Sequence, residues 1–417
     1  MTTPFRAALL GSTLLASAAS AQETTITIES WRNDDLAIWN DVIIPAFEAQ
    51  HPEINVEFAP TAPTEYNAAL NSKLQAGSAG DIITCRPFDA SLDLYEGGHL
   101  ADLSDLPAMA NFSDVAKSAW TTDDGSATFC VPMASVIHGF MYNRDAFEEL
   151  GIEEPTTVDE FFAVLDAIRE DGTYIPMAMG TNDQWEAATM GYQNIGPNYW
   201  GGEDGRLALI AGEQKLTDQQ WVAPFEQLAR WKDYLGEGFE AQTYPDSQNL
   251  FTLGRAAIYP TGSWEIGVFE PLVDFEMGAF PPPVPAEGDA CYISDHTDIG
   301  IGMNANSPNA EAARTFLEWV GSPEFATLYG NALPGFFPLS NGEVTLENPL
   351  AQEFISWRGE CESTIRSTYA ILSRGTPNLE NDTWNASANV INGTETPADA
   401  AARLQEGLEA WYTPSQN

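Results

Sequence analysis

Between residues 24 and 84 the apolar period of the sequence switches repeatedly, and this alternation limits the fold more than any other feature. Thr25-Ile26-Thr27-Ile28-Glu29 alternates polar and apolar residues, the pattern of a strand with one buried face, and ends at Ser30-Trp31-Arg32-Asn33. Leu36, Trp39, Ile43 and Phe47 then recur three or four residues apart, which puts them on one face of a helix. Asn55–Ala59 reads as a second strand. Thr64 is placed to cap a second helix, which carries Tyr66, Leu70 and Leu74 and stops at Gly77. Gly80–Thr84 reads as a third strand. Strands that alternate with helices form a parallel α/β sheet, whose ligands gather beyond the carboxyl ends of the strands. Trp31–Asp34 and Cys85–Asp89 therefore mark an expected rim.

Further along, Val131–Tyr142 reads as a strand pair and Thr157–Glu170 as a capped helix. The middle third is rich in helices and aromatic residues, among them Trp185, Tyr192, Trp200, Trp221 and Trp231. Residues 280–290 contain Phe280-Pro281-Pro282-Pro283-Val284-Pro285, a stiff extended connector. Ile299–Met303 resumes strand character, Asn309–Val320 reads as a helix, and another helix runs from about Pro397 to Trp411.

Residues 1–21 have the form of an export signal: Arg6, a mostly apolar Ala7–Ala19, and small residues at Ala19-Ser20-Ala21. That run is too short to span a bilayer, so an exported, periplasmic protein is expected. In an oxidising compartment Cys85, Cys130, Cys291 and Cys361 should pair, and four cysteines allow three pairings. The chain carries 61 acidic against 17 basic residues, a net charge of -44. Such a surface repels nucleic acid and anionic membranes, and it reads chiefly as solvation.

Motifs for chemistry are missing. There is no GxSxG and no GxxxxGK(S/T), so neither a serine-hydrolase elbow nor a nucleotide loop is supported. Only four histidines occur, without HxxxH or HExxH spacing, and no metal or cofactor is expected. Two carboxylates chosen from 61 acidic residues say nothing about glycosidase chemistry.

Five segments in register resemble sugar-binding proteins of ABC importers: Ile28–Asn33, Gly80-Asp81-Ile82-Ile83, Tyr142-Asn143-Arg144 after Val131-Pro132, Phe251–Trp264, and Ala312–Phe325 with Ser322-Pro323-Glu324. The resemblance, to the family 1 extracellular solute-binding proteins that include maltose-binding proteins, runs from about residue 24 to 412. It implies a two-lobed α/β periplasmic binding protein fold, each lobe a mainly parallel sheet flanked by helices, joined by hinge segments. Carried onto this chain, residues 22–134 plus 293–336 form the N-terminal lobe and 135–292 plus 337–417 the C-terminal lobe. Crossings fall near Ala134-Ser135, Ala290–Ile293 and Phe337-Pro338. Cys85 and Cys130 would share the first lobe and are the first pair expected to join. The four cysteines and the scarcity of lysine depart from many relatives.

The resemblance implies a monomer without catalysis that closes on a mono- or oligosaccharide and delivers it to membrane permease subunits. A sugar offers apolar C–H faces and a ring of hydroxyls, so its site needs aromatic platforms and planar polar groups. Trp264 stands where the family places a stacking aromatic, with Glu265 beside it able to accept hydroxyl protons or to face water. Arg86 and Asp89 follow the third strand, and Arg32 and Asn33 the first; the arginines could pair with carboxylates such as Asp89 or recognise an anionic group. Asp183 and Trp185 lie on a loop of the second lobe that would face the cleft, although Asp183 could equally cap its loop. His296 and Asp298 precede the returning strand, and Arg374 precedes Gly375-Thr376-Pro377. The alternatives are a binding protein for an anionic sugar derivative or a compatible solute, which convergence of Arg32, Arg86 and Arg374 would favour, and an exported glycan-processing enzyme.

Overall fold

The computed structural model describes residues 24–342 and 344–416, so the export segment expected at 1–21 lies outside the described residues. β1 (Thr24–Ser30) and β2 (Ile54–Pro60) pair in parallel from Thr24↔Ile54 to Ser30↔Pro60, and β3 (Ile82–Cys85) joins the other edge of β1. The crossover helices form where the apolar period dictates. In the first, Trp39, Ile43 and Phe47 are buried, while Leu36 is 40% exposed. In the second, Tyr66–Ala76, Tyr66, Leu70 and Leu74 are buried, and Gly77 ends the helix at φ 66. Thr64 makes no cap there, because the Ala62 carbonyl already accepts from the Glu65 and Tyr66 N–H groups.

Val131–Tyr142 is not a strand pair. It is one strand, β4 (Val131–Asn143), buried along all 13 residues. After it come β5 (Ile175–Met177), β6 (Ala256–Gly262), β7 (Met277–Phe280), β8 (Tyr292–Met303), β9 (Phe337–Pro338) and β10 (Glu362–Thr364). The strand order is β2-β1-β3-β8-β4-β6-β5, with β10 on β8 and both β7 and β9 on β4. The first half of β4 pairs antiparallel with β8, from Val131↔Ile301 to Ile137↔Asp295. Its second half pairs antiparallel with β6, from His138↔Gly262 to Tyr142↔Ile258, and with β7. The expectation of mainly parallel sheets is therefore corrected: two long antiparallel strands run through both lobes and make the sheet mixed.

The chain is a two-lobed α/β protein. One core draws on residues between Ile26 and Val136 and between Ile299 and Phe336. The remaining buried apolar residues, including Tyr192, Trp200, Trp221 and Trp231, build the second lobe from residues between Ile137 and Leu408. Ile293 packs with the second set, so β8 changes core between Ile293 and Ile299. β4 has bulges at Pro132–Ser135, and β9 pairs with Ala134-Ser135 beside them.

Cys85 is bonded to Cys130, the pair expected first, and Cys291 to Cys361. The first bridge lies against β8, where a Cβ on Gly302 would come 2.8 Å from the Cys130 sulfur and from the Phe129 carbonyl oxygen. Only glycine fits there. Among the described residues no helix is long and apolar enough to cross a membrane.

Candidate ligand-binding cleft

β6 ends at Gly262 and turns through Ser263–Glu265 into a short helix. The Trp264 ring folds back over Gly262, where an added Cβ would come 1.8 Å from a ring carbon. Half-buried, Trp264 packs against the first core and against part of the second. Its Nε1–H donates to Tyr244 Oη at 3.0 Å, and its ring meets His138 edge-on at 5.3 Å. Tyr244 in turn donates to the Glu265 carboxylate, and Gln248 donates to both Glu265 oxygens at 3.1 Å. Glu265 therefore does not face water, and burial pushes its carboxyl up to about 7. Trp185 meets Tyr244 edge-on at 4.8 Å. The Asp183 carboxylate accepts from the Tyr244 backbone N–H at 2.9 Å, a loop-fixing role.

A second group forms where β3 ends. Phe88 is held at φ 58, ψ -131, a strained backbone for a bulky residue, and its ring stacks on Tyr369 of the second lobe at 5.4 Å. His296, on β8, lies 5.2 Å from Tyr369 and 6.1 Å from Phe88. It is fully buried, and neither ring nitrogen has a protein partner. His138 Nδ1 is 3.1 Å from the Thr189 carbonyl and so donates to it, leaving Nε2 as an acceptor 3.4 Å from Arg366 Nη2. Burial pushes both imidazoles well down, which keeps them neutral. Trp185, Tyr244, Trp264, His138 and Arg366 thus form one run of contacts and His296, Tyr369 and Phe88 another, and the Tyr369 N–H on the Arg366 carbonyl joins the two into a row.

Asp89, beside Phe88, accepts from Arg374 Nε at 2.5 Å, and the same guanidinium binds Asp123 at 2.6 and 3.0 Å. This is a clasp from the second lobe to the first. Burial pushes Asp89 up to about 6, although Arg374 opposes the shift.

Arg32, Asn33, Arg86 and Asp298 make their direct contacts away from this row, although the Arg32 charge acts on Tyr244 and Glu265 and the Arg86 charge on Tyr369. Trp31 is 5% exposed and packs edge-on against Tyr66, so it is core rather than rim. Arg32 is held by both oxygens of Asp35 at 2.7 Å, not by Asp89, and lies 4.8 Å over the Phe336 ring. Asn33 is exposed and only brushes Asp34. Asp298 is partly buried and acts on Tyr329. Arg86 lies 4.5 Å over Trp31, bound to Asn67 and to the Pro63 carbonyl. A cavity of about 320 Å3 lined by Tyr66, Asn67, Asn71, Arg86, Asp93 and His99 lies within the first lobe and shares only Arg86 with these groups. Arg32, Arg86 and Arg374, whose convergence would favour an anionic ligand, do not converge, because Arg32 and Arg374 are each paired with carboxylates.

Sequence reasoning missed Phe88, His138, Tyr244, Arg366 and Tyr369. Phe88 could have been found, since it sits between the candidates Arg86 and Asp89; Arg366 and Tyr369 lie in a stretch without periodicity. Among the described residues no cluster of His, Cys, Asp or Glu is arranged to hold a metal ion.

Two lobes joined by shared strands, with aromatic and planar polar side chains between them, define a solute-binding architecture. The chain belongs to the bacterial extracellular solute-binding protein family, whose model matches residues 30–327. The "Multiple sugar-binding protein" of Streptococcus mutans is 19% identical over 97% of this chain and 94% of its own length. An uncharacterised ABC-transporter extracellular-binding protein of Pyrococcus horikoshii is 25% identical over 62% of this chain and 61% of its own. Among solved structures, a "Chitin oligosaccharide binding protein" superposes with a TM-score of 0.79 at 20% identity, covering 94% of this chain and all of that one.

Proposed function

We propose that this protein is the periplasmic sugar-capturing component of an ABC importer, a monomer that closes on a mono- or oligosaccharide and presents it to permease subunits. The observation that carries the reading is Trp264, a half-buried tryptophan that touches the cores of both lobes and is fixed by Tyr244. An indole held there offers a flat apolar face to sugar C–H groups while His138, His296 and Asp89 stand along the same row. The names of the Streptococcus relative and of the chitin oligosaccharide binding protein point to the same ligand class. The lobes are taken as 22–134 plus 293–336 and 135–292 plus 337–417, hinged where β4, β8 and β9 meet.

A thermal-shift screen of the mature protein against a saccharide and osmolyte library tests this. A ligand that binds only the folded state stabilises it by about 2.7 kcal/mol at a hundredfold excess over Kd, a rise of a few degrees in Tm. A saccharide should give that rise and be recovered unchanged. Release of product from a glycoside would overturn the binding-only reading, and a shift with osmolytes alone would overturn the sugar.

A further inference from the structure

The chain is so acidic that most of its arginines have a carboxylate partner, and Arg86, Arg230, Arg255 and Arg366 are the exceptions among the described residues. Among the described residues, eight arginines have one within 4.0 Å. Arg366 has none. Its Nε is buried without a partner, and its one side-chain contact is the 3.4 Å approach of Nη2 to His138 Nε2. Arg86 likewise has no carboxylate partner, only the Asn67 amide oxygen and the Pro63 carbonyl.

The charges of these two guanidinium groups reach one place, the Tyr369–Glu380 pair, from opposite lobes. The Tyr369 N–H bonds to the Arg366 carbonyl at 3.2 Å, and Phe88, two residues beyond Arg86, stacks on the Tyr369 ring. Both arginines lie near enough to Tyr369 and Glu380 to act on their ionisation. Glu380 is an acid on which both act, but it accepts from Tyr369 Oη at 2.6 Å and burial holds its carboxyl up. The interface therefore gathers positive charge that the protein neutralises poorly. An arginine cannot lose its proton, so a half-buried guanidinium without a carboxylate partner is costly until an anion reaches it. The net charge of -44 does not cancel this, because surface charges beyond about 10 Å are screened at moderate salt.

We infer that the cleft takes an acidic saccharide, whose carboxylate binds Arg366 opposite Arg86 while a neighbouring hydroxyl bonds to His296. Guanidinium and carboxylate match as planar groups and form charge-assisted hydrogen bonds. A neutral imidazole carries one donor and one acceptor, which suits a hydroxyl, and both His296 nitrogens are buried without a protein partner. The inference rests on the sugar-binding reading and narrows its ligand to uronate-bearing sugars.

The test is calorimetric titration of the mature protein with uronate oligosaccharides from polygalacturonate, alginate and glucuronoxylan. Each is matched with the same oligosaccharide after its carboxyls are reduced to hydroxymethyl groups. At least one acidic form should bind about 30-fold more tightly than its reduced partner. In Arg366→Gln the two forms should bind within about threefold of each other. Arg86→Gln, tested alongside in case the first variant does not fold, should reduce the preference as well. If neutral or reduced oligosaccharides bind as tightly as the acids, or if the preference survives in whichever variants fold, the acidic-ligand inference is overturned and the sugar-binding reading stands. If no saccharide of either kind binds, the acidic-ligand inference is overturned, and the thermal-shift screen alone decides the sugar-binding reading.

Discussion

Trp264 is anchored by groups that a ligand need not displace. Gly262 lies beneath the ring, Tyr244 accepts from its Nε1–H, and His138 meets its edge. The residue is therefore preorganised, and an incoming sugar would spend little on ordering it. Trp264→Ala should remove the stacking contribution and much of the buried apolar area, roughly 2–4 kcal/mol of binding free energy. Affinity for the saccharide should fall by more than about twentyfold. Because the ring also packs against both cores, ligand-free Tm is measured in parallel. A large drop in Tm with affinity kept within about threefold would make Trp264 a core residue and move the site elsewhere. At this scale the sequence left two roles open for Arg32 and for Asp183, a ligand contact or a partner within the protein, and in the structure each has a protein partner. Arg32 is satisfied by Asp35 three residues on and Asp183 by a backbone N–H, and a sequence alone does not say which of many acids reaches which donor.

At the scale of elements, the strand–helix–strand alternation of residues 24–85 was legible because β1, β2 and the two crossover helices each bury one face in a single core, and the short β3 follows as a compact apolar run. β4 was not, because a strand buried on both faces loses its alternation, and nothing in Val131–Asn143 shows that its halves pair with different partners. The Arg374 clasp was equally hidden. It joins the start of the helix Asp89–Glu96 and the exposed turn at Asp123 to the segment before the helix Leu379–Asn392, 285 residues from Asp89. These contacts cross between lobes, so they favour the closed arrangement over any open one. Arg374→Gln should weaken saccharide binding by roughly fivefold, the scale of a partly exposed charge network, mainly through faster release. Stopped-flow dissociation measures this. An unchanged release rate would show that the clasp does not hold the lobes together.

For the whole molecule, the same salt should act in two directions. With 61 acidic and 17 basic residues, long-range repulsion opposes compaction of the folded chain. Raising sodium chloride from about 0.01 M to about 1 M shortens the screening length from about 30 Å to about 3 Å. Repulsion spread over a protein surface is then largely removed, and the Tm of the ligand-free protein should rise. The Arg374 clasp is local attraction at the lobe edge, with Asp123 exposed and Arg374 partly so. Screening weakens it, so release of a neutral saccharide should quicken with salt in the natural protein and change little in Arg374→Gln. Scanning calorimetry and stopped-flow measurements across one salt series read both effects. If Tm falls while release from the two proteins responds alike, the surface charge is not repulsive in sum and the clasp carries no share of closure.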